Sequence, residues 1–295
     1  MTAPLSRRVF ISVTKDHNLS SSRLALKRAL IDKIRGAGLE PQEFLESGLV
    51  GNKPWSFEEV DRVIRRCVGA VALGFTRWDC GKVKVVNEYN HYEGAVALSH
   101  GIPLLAIAEH GVARRGILKE GGGIAVASLP KDASAGWLDS PEFAKRWDAW
   151  LDEIAARKDV FLAYSSKSKA IANEIQLLLL KHDATVLNWA MDFHAGNTIL
   201  SEIEDARALC TCGVFLFSED DPLEGVEGGA APRDNVVFEA GYFMSSKGPG
   251  RCLIVRAGNA KMPADVGGTI YLPLGSDGNV NAIEGQLVTF LETNL

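Results

Sequence analysis

The sequence predicts an α/β protein built of two tandem domains, each a doubly wound parallel sheet with helices on both faces. Three observations carry this. Short apolar runs of strand length alternate with amphipathic helical segments along the whole chain, which is the pattern of β-α-β units. The alternation starts afresh near residue 158, with an apolar run that mirrors the first. A chain of 295 residues, 46% of them hydrophobic, also suits two domains of ordinary size, each able to bury a core. The domains are placed at residues 1–157 and 158–295.

In the first half, residues 8–13 read as a buried strand. Residues 20–38 carry Leu24, Leu26, Leu30, Ile31 and Ile34 at helical spacing. Residues 43–45 read as a short strand, 57–67 as a helix and 68–75 as a third strand. A helix over 88–101 ends on Gly101, and strands follow at 103–108 and 123–129. Ser140 and Pro141 stand in N-cap then N1 order and open a helix that runs to about residue 157. In the second half the strands are expected at 159–164, 185–189, 213–218, 251–256 and 269–272. The helices between and after them are expected at 168–181, 198–209, 235–246 and 282–293. The halves also match in detail. Val9-Phe10-Ile11-Ser12 resembles Val160-Phe161-Leu162-Ala163, and an aromatic-Glu pair stands at Tyr92-Glu93 and again at Phe238-Glu239. A pseudo-repeat is the preferred reading of this match.

Composition narrows the function classes. A formal charge of -5 argues against nonspecific binding to nucleic acid or to anionic membranes. No apolar run approaches the roughly 20 residues of a membrane span. The first residues show no secretory cleavage pattern, so a cytoplasmic location is expected. The five cysteines form no C-x-x-C pair and are expected as reduced thiols. The six histidines are scattered, with no H-E-x-x-H, so no metal site is expected.

One acid stands out. Glu239 lies in the apolar run Val236–Phe243, in the helical segment after Pro232-Arg233-Asp234-Asn235. A carboxylate there loses hydration unless a salt bridge compensates for it or a reaction uses its charge. Ligands in doubly wound folds sit beyond the C-terminal strand ends. In each half, that places a site at the first strand-to-helix loop and the late acidic helix.

Residues 159–274 resemble a bacterial TIR-like family of predicted nucleotide-binding domains that occurs in anti-phage defence systems. The resemblance rests on Val160 through Ser166, on Trp189 followed by Phe193, Gly196 and Thr198, and on Val214-Phe215-Leu216-Phe217 ahead of Asp220-Asp221. It continues through Pro232 to Phe243, and through Met262-Pro263-Ala264-Asp265 with Gly267 and Tyr271. It implies a flavodoxin-like TIR fold and cleavage of the nicotinamide–ribose bond of NAD. NAD is then a substrate, with no cofactor, and the Glu matching Glu239 is the catalytic carboxylate. TIR enzymes often complete their sites across subunits, so a homo-oligomer is expected. A defence effector of this kind is expected to be activated by assembly or by a nucleotide signal.

The other residues of this half are weighed as follows. Tyr164, Ser165 and Ser166 follow the first strand, where hydroxyls and backbone N–H groups suit pyrophosphate oxygens; Ser168 suits a helix cap equally well. Trp189 reads as a stacking platform or as core, and Phe193 follows it. Arg233 and Asn235 precede Glu239, and a donor or cation near that carboxylate is expected. Residues 224–231, rich in Gly and acids, read as a mobile flap.

Residues 7–130 resemble, more distantly, the TIR and nucleoside deoxyribosyltransferase group, through Val9–Val13 and Glu88 to Ala97. Glu88, Tyr92 and Glu93 are its candidate ligand residues, with a nucleotide second messenger as the first candidate ligand. A degenerate scaffold and a second glycosidic site are the alternatives. For the whole chain, the rival readings are a nonenzymatic nucleotide-binding or adaptor protein and a deoxyribosyltransferase-like enzyme.

Overall fold

The computed structural model describes residues 7–44, 56–121, 124–188, 198–225, 227–263, 271–275 and 278–295. The chain divides into two compact units that meet between Ala156 and Arg157.

The N-terminal unit holds β1 (Arg8–Ser12), α1 (Ser21–Gly36), β2 (Glu40–Glu43), α2 (Phe57–Ile64) and β3 (Gly69–Gly74). After a small hairpin, β4 (Trp78–Asp79) and β5 (Lys84–Val85), come α3 (Glu88–Ser99), β6 (Leu104–Glu109), β7 (Ala125–Leu129) and α4 (Pro141–Ala156). The main sheet has the order β2-β1-β3-β6-β7, and every pairing in it is parallel. This is the 2-1-3-4-5 order of a flavodoxin-like sheet.

The C-terminal unit holds β8 (Lys158–Ala163), α5 (Lys169–Lys181), β9 (Val186–Asn188), α6 (Ile199–Leu209) and β10 (Cys210–Phe217). A hairpin, β11 (Asp221–Pro222) with β12 (Ala230–Ala231), leads to α7 (Asp234–Lys247), β13 (Cys252–Ala257), β14 (Tyr271–Leu274) and α8 (Glu284–Asn294). Read from its other edge, its sheet is β9-β8-β10-β13-β14, again all parallel. The two units therefore share one topology. Both sheets are α/β and doubly wound, as the sequence pattern predicts.

Alternation of side chains along each strand feeds two cores per sheet. In the N-terminal unit, Val9 and Ile11 pack with α1 and α4, and Phe10 packs on the opposite face with α2 and α3 residues. In the C-terminal unit, Val160 and Leu162 face α5 and α8. Phe161 and Ala163 face α7 together with Val236, Ala240 and Phe243. The Phe161 and Phe243 rings stack at 4.9 Å, and Phe215 meets Phe243 edge-on at 5.5 Å. Gly213 makes room for this, since a Cβ there would lie 2.7 Å from the Phe215 ring. Each such ring contributes roughly 2–3 kcal/mol through burial.

One strand sits earlier than the apolar pattern indicates. The second strand is Glu40–Glu43, not residues 43–45. It is a sheet edge, where Pro41 and polar side chains are tolerated, so hydrophobicity was the wrong guide. Both hairpins were also missed, because two-residue strands carry no periodicity. Residues 224–231 include the end of one hairpin, where Leu223 N–H donates to the Gly229 carbonyl at 2.9 Å.

Candidate active site

In the C-terminal unit the ends of β8 and β10 and the start of α7 converge on Asp220. Its carboxylate is buried. It accepts from Ser165 Oγ at 2.7 Å, from Ser218 Oγ at 3.1 Å and from the Arg233 backbone N–H at 3.2 Å. Lys167 Nζ donates to the Asp220 carbonyl at 2.5 Å. Asp220 N–H in turn donates to the Ala231 carbonyl at 3.0 Å. One residue thus ties the loop after β8, the end of β10, the hairpin and the N-terminus of α7.

Glu239 is the sixth residue of α7. It shares the inward helix face with Val236, Ala240 and Phe243, and it is 6% exposed. Its Oε2 is buried and has no hydrogen-bond partner among the described residues. Burial alone pushes its pKa up to about 7, because no neighbouring charge offsets the lost hydration. The donor or cation expected beside it is absent among the described residues. Arg233 pairs instead with Asp221, Nη1 to Oδ1 at 3.0 Å, and both side chains are half-exposed.

The other predicted residues fall into distinct places. Tyr164 is buried and donates to Asn188 Oδ1 at 2.9 Å, so it belongs to the core wall of this unit. Ser165 is turned inward onto Asp220, while Ser166 and Asn235 are exposed. Ser168 precedes α5 but makes no side-chain cap; its hydroxyl donates to the Ser165 carbonyl at 3.1 Å. Trp189 and Phe193 lie outside the described residues. The sequence marks Asp220 only as part of the resemblance, and its role rests on contacts that sequence spacing does not reveal.

Thiol chemistry finds no support here. Burial pushes Cys210 and Cys252 up to about 12, far from the thiolate that a nucleophile needs at neutral pH.

The N-terminal unit has a second acidic centre at the corresponding place. Glu93 is the sixth residue of α3 and is buried. Its Oε2 accepts a hydrogen bond from Ser12 Oγ at the end of β1. Asn90, one turn earlier, donates from Nδ2 to Ser12 Oγ at 2.8 Å and to the Ser12 carbonyl at 3.1 Å. Glu88 is exposed. Tyr92 donates to the Phe57 carbonyl at 3.1 Å and meets the Phe57 ring edge-on. Among the predicted residues of this unit, Glu93 is the one that lines a cleft. Ser12 and Asn90 were not predicted as site residues, although each lies at a sheet or helix position next to a named one.

Residues 159–276 match the family model described as CAP12/Pycsar effector protein, TIR domain. A curated relative, CD-NTase-associated protein 12 of Sphingobacterium faecium, is 28% identical over 141 residues, 47% of this chain and 43% of that protein. Pycsar effector protein BcPycTIR of Burkholderia cepacia is 31% identical over 119 residues, 39% of each chain. These matches span less than half the length of either relative. Among solved structures, the TIR domain of the Toll-related receptor TRR-2 from Hydra magnipapillata aligns over 45% of this chain and 95% of its own. Its TM-score is 0.33 and its identity 13%. Over residues 159–276 this chain is similar to the TIR domain of the CAP12/Pycsar effectors.

Proposed function

We propose that the C-terminal unit is an NAD glycohydrolase and that the protein acts as a bacterial anti-phage defence effector, switched on by assembly or a nucleotide signal. The observation that carries this reading is Glu239, a buried carboxylate whose Oε2 has no partner among the described residues. It sits on a TIR-family helix, on the face turned toward the sheet.

The chemistry needs such a group. The nicotinamide of NAD is cationic and leaves as a neutral base, taking the electron pair of the C–N bond. The ribose carbon left behind becomes electron-poor, as in glycoside cleavage. A carboxylate beside it stabilises that charge, and in a site of low polarity the effect is larger than in water. Water then adds to the ribose carbon and releases a proton, giving ADP-ribose. Attack by a group within the substrate gives a cyclised product instead.

Glu239 must be ionised for this work. Its pKa of about 7 in the free protein means that neutral pH leaves a substantial share protonated. The cationic nicotinamide ring supplies the missing counter-charge, so substrate binding draws the group toward the anion. Release at limiting NAD, which reports the free protein, should therefore rise with pH through about 7, and release at saturating NAD should rise at lower pH.

The test is nicotinamide release, measured over a range of protein concentrations so that an assembled state is sampled. Glu239→Gln keeps the size of the side chain and removes its charge. It should lower turnover roughly 10²–10³-fold. Turnover by Glu239→Gln at the unaltered rate would remove the assignment.

A further inference from the structure

The N-terminal unit holds a cleft of ≈ 690 Å³ at the C-terminal end of β1. That volume lies within the range of small-molecule sites. The end of the first strand is also the topological switch point of a 2-1-3-4-5 sheet. Asn90 and Glu93 line the cleft from adjacent turns of α3, with Tyr89 and Asn87 beside them.

Asn90 is the informative residue. It is 2% exposed. Both hydrogen bonds it makes leave from Nδ2 and end on Ser12. Its Oδ1 is buried and has no partner among the described residues. Buried acceptors are nearly always satisfied in folded proteins, and an exception facing a cleft points to a ligand that donates. The orientation of the amide is fixed by its neighbours. Ser12 Oγ donates to Glu93, so it must accept from Asn90, which leaves Oδ1 as the unpaired atom of a side chain that lines the cleft. The result is two acceptors side by side, a carboxylate and an amide oxygen. They match two neighbouring hydroxyl donors.

The opposite charge comes from the other side. Arg77 and Lys15 also line the cleft, and among the described residues neither forms an ion pair. Glu43 does not neutralise them, because it is already paired with Lys27 at 2.6 Å. Phe44 and the half-exposed Tyr89 add aromatic surface to the same wall.

We infer that this cleft binds a ribonucleoside phosphate, with the ribose hydroxyls donating to Glu93 and Asn90 Oδ1, the phosphate on Arg77 and Lys15, and the base against Phe44 and Tyr89. The site belongs to the N-terminal unit and does not depend on NAD cleavage by the other one. Linear and cyclic nucleotides share this chemistry.

The experiment is titration calorimetry on the full chain carrying Glu239→Gln, which keeps turnover out of the measurement. The probes are the common ribonucleoside 5′-monophosphates, their 3′,5′-cyclic forms and the 2′,3′-dideoxy counterparts. At least one ribonucleotide should bind about tenfold or more tightly than its dideoxy counterpart, the expected effect of a lost hydrogen bond to a charged group. The cyclic forms keep only the 2′ hydroxyl, so their rank against the linear series tells which source the cleft suits. Adding Glu93→Gln should erase the preference for ribose. No binding by any ribonucleotide, equal binding of the dideoxy series, or an unchanged preference in Glu93→Gln would each overturn the proposal. The ribose preference is read with Glu93 intact, so a folding defect in Glu93→Gln leaves the test standing.

Discussion

Two helices in this protein carry a glutamate at the same place and treat it differently. Glu93 is the sixth residue of α3, and Glu239 is the sixth of α7. Each helix packs on the same face of a sheet with the same strand order. In the N-terminal unit the first strand, β1, ends on Ser12, whose hydroxyl donates to Glu93, and Asn90 stands one turn before the acid. In the C-terminal unit the corresponding residues are Ala163 and Val236, both apolar and buried. The frame sets where the acid stands. Two neighbouring side chains decide whether it is held by hydrogen bonds or left desolvated. The first arrangement suits binding of donors, and the second suits a charge kept for a cationic substrate.

The largest expected effect that sharpens this contrast is on chemistry. Glu239→Gln should remove nearly all nicotinamide release, whereas Glu93→Gln should leave turnover by the assembled protein within a few-fold. Equal loss in both variants would mean that the two acids act together.

Next comes Asp220→Ala, which removes the acceptor of Ser165, Ser218 and the Arg233 amide. It should destabilise the C-terminal unit by about 3 kcal/mol, as expected when a buried charged acceptor is lost. Urea melts followed by circular dichroism would read this.

Glu239 has an opposite effect on stability. The folded protein holds a proton up to about pH 7, whereas the unfolded chain releases it near the ordinary carboxylate value of 4.5. Between these values the folded state binds more protons, so stability falls as pH rises. The total amounts to about 3 kcal/mol as an upper bound. Glu239→Gln should therefore be the more stable protein at pH 8 while being the inactive one. Lys247 runs the other way. Burial and the nearby Arg157 and Arg251 lower its pKa to about 7. Its contribution is then small below pH 7 and grows as pH rises toward the unfolded value. Together the two groups place a shallow minimum of stability near neutral pH, which melts across pH 4.5 to 10 would detect.

The smallest effects test the two neighbours themselves. Ser12→Ala deprives Glu93 of its donor and Asn90 of an acceptor, and should cost about 1–2 kcal/mol. Ala163→Ser offers Glu239 a donor of the kind Glu93 has. It should lower the Glu239 pKa and move the rise of activity to lower pH. An unchanged pH profile would show that Ala163 does not face Glu239 as Ser12 faces Glu93.

Much of this frame was legible because burial on both faces writes itself into a strand as an unbroken apolar run. The strands at 8–12, 69–74 and 210–217 are of that kind. Glu239 was legible for the converse reason, as an acid inside an apolar helical run. The edge strand at Glu40–Glu43 was displaced because an edge needs little apolar surface. The site partners were not legible, because their contacts span the chain. Ser12 meets Glu93 across 81 positions, and Ser165 meets Asp220 across 55. Nothing local marks a Ser or Asp for such a partner. Arg233 was drawn toward Glu239 by proximity in sequence, while the helix turns it toward solvent and Asp221.

The contrast at the end of the first strand of each unit also has a genetic side. Serine and alanine codons of the TCN and GCN families differ by a single base. Every alanine codon reaches a serine codon by one change, so a single point mutation is enough to give the C-terminal unit the strand end of the N-terminal one. With the same strand order in both units, each is free to drift toward capture or cleavage without rebuilding its sheet.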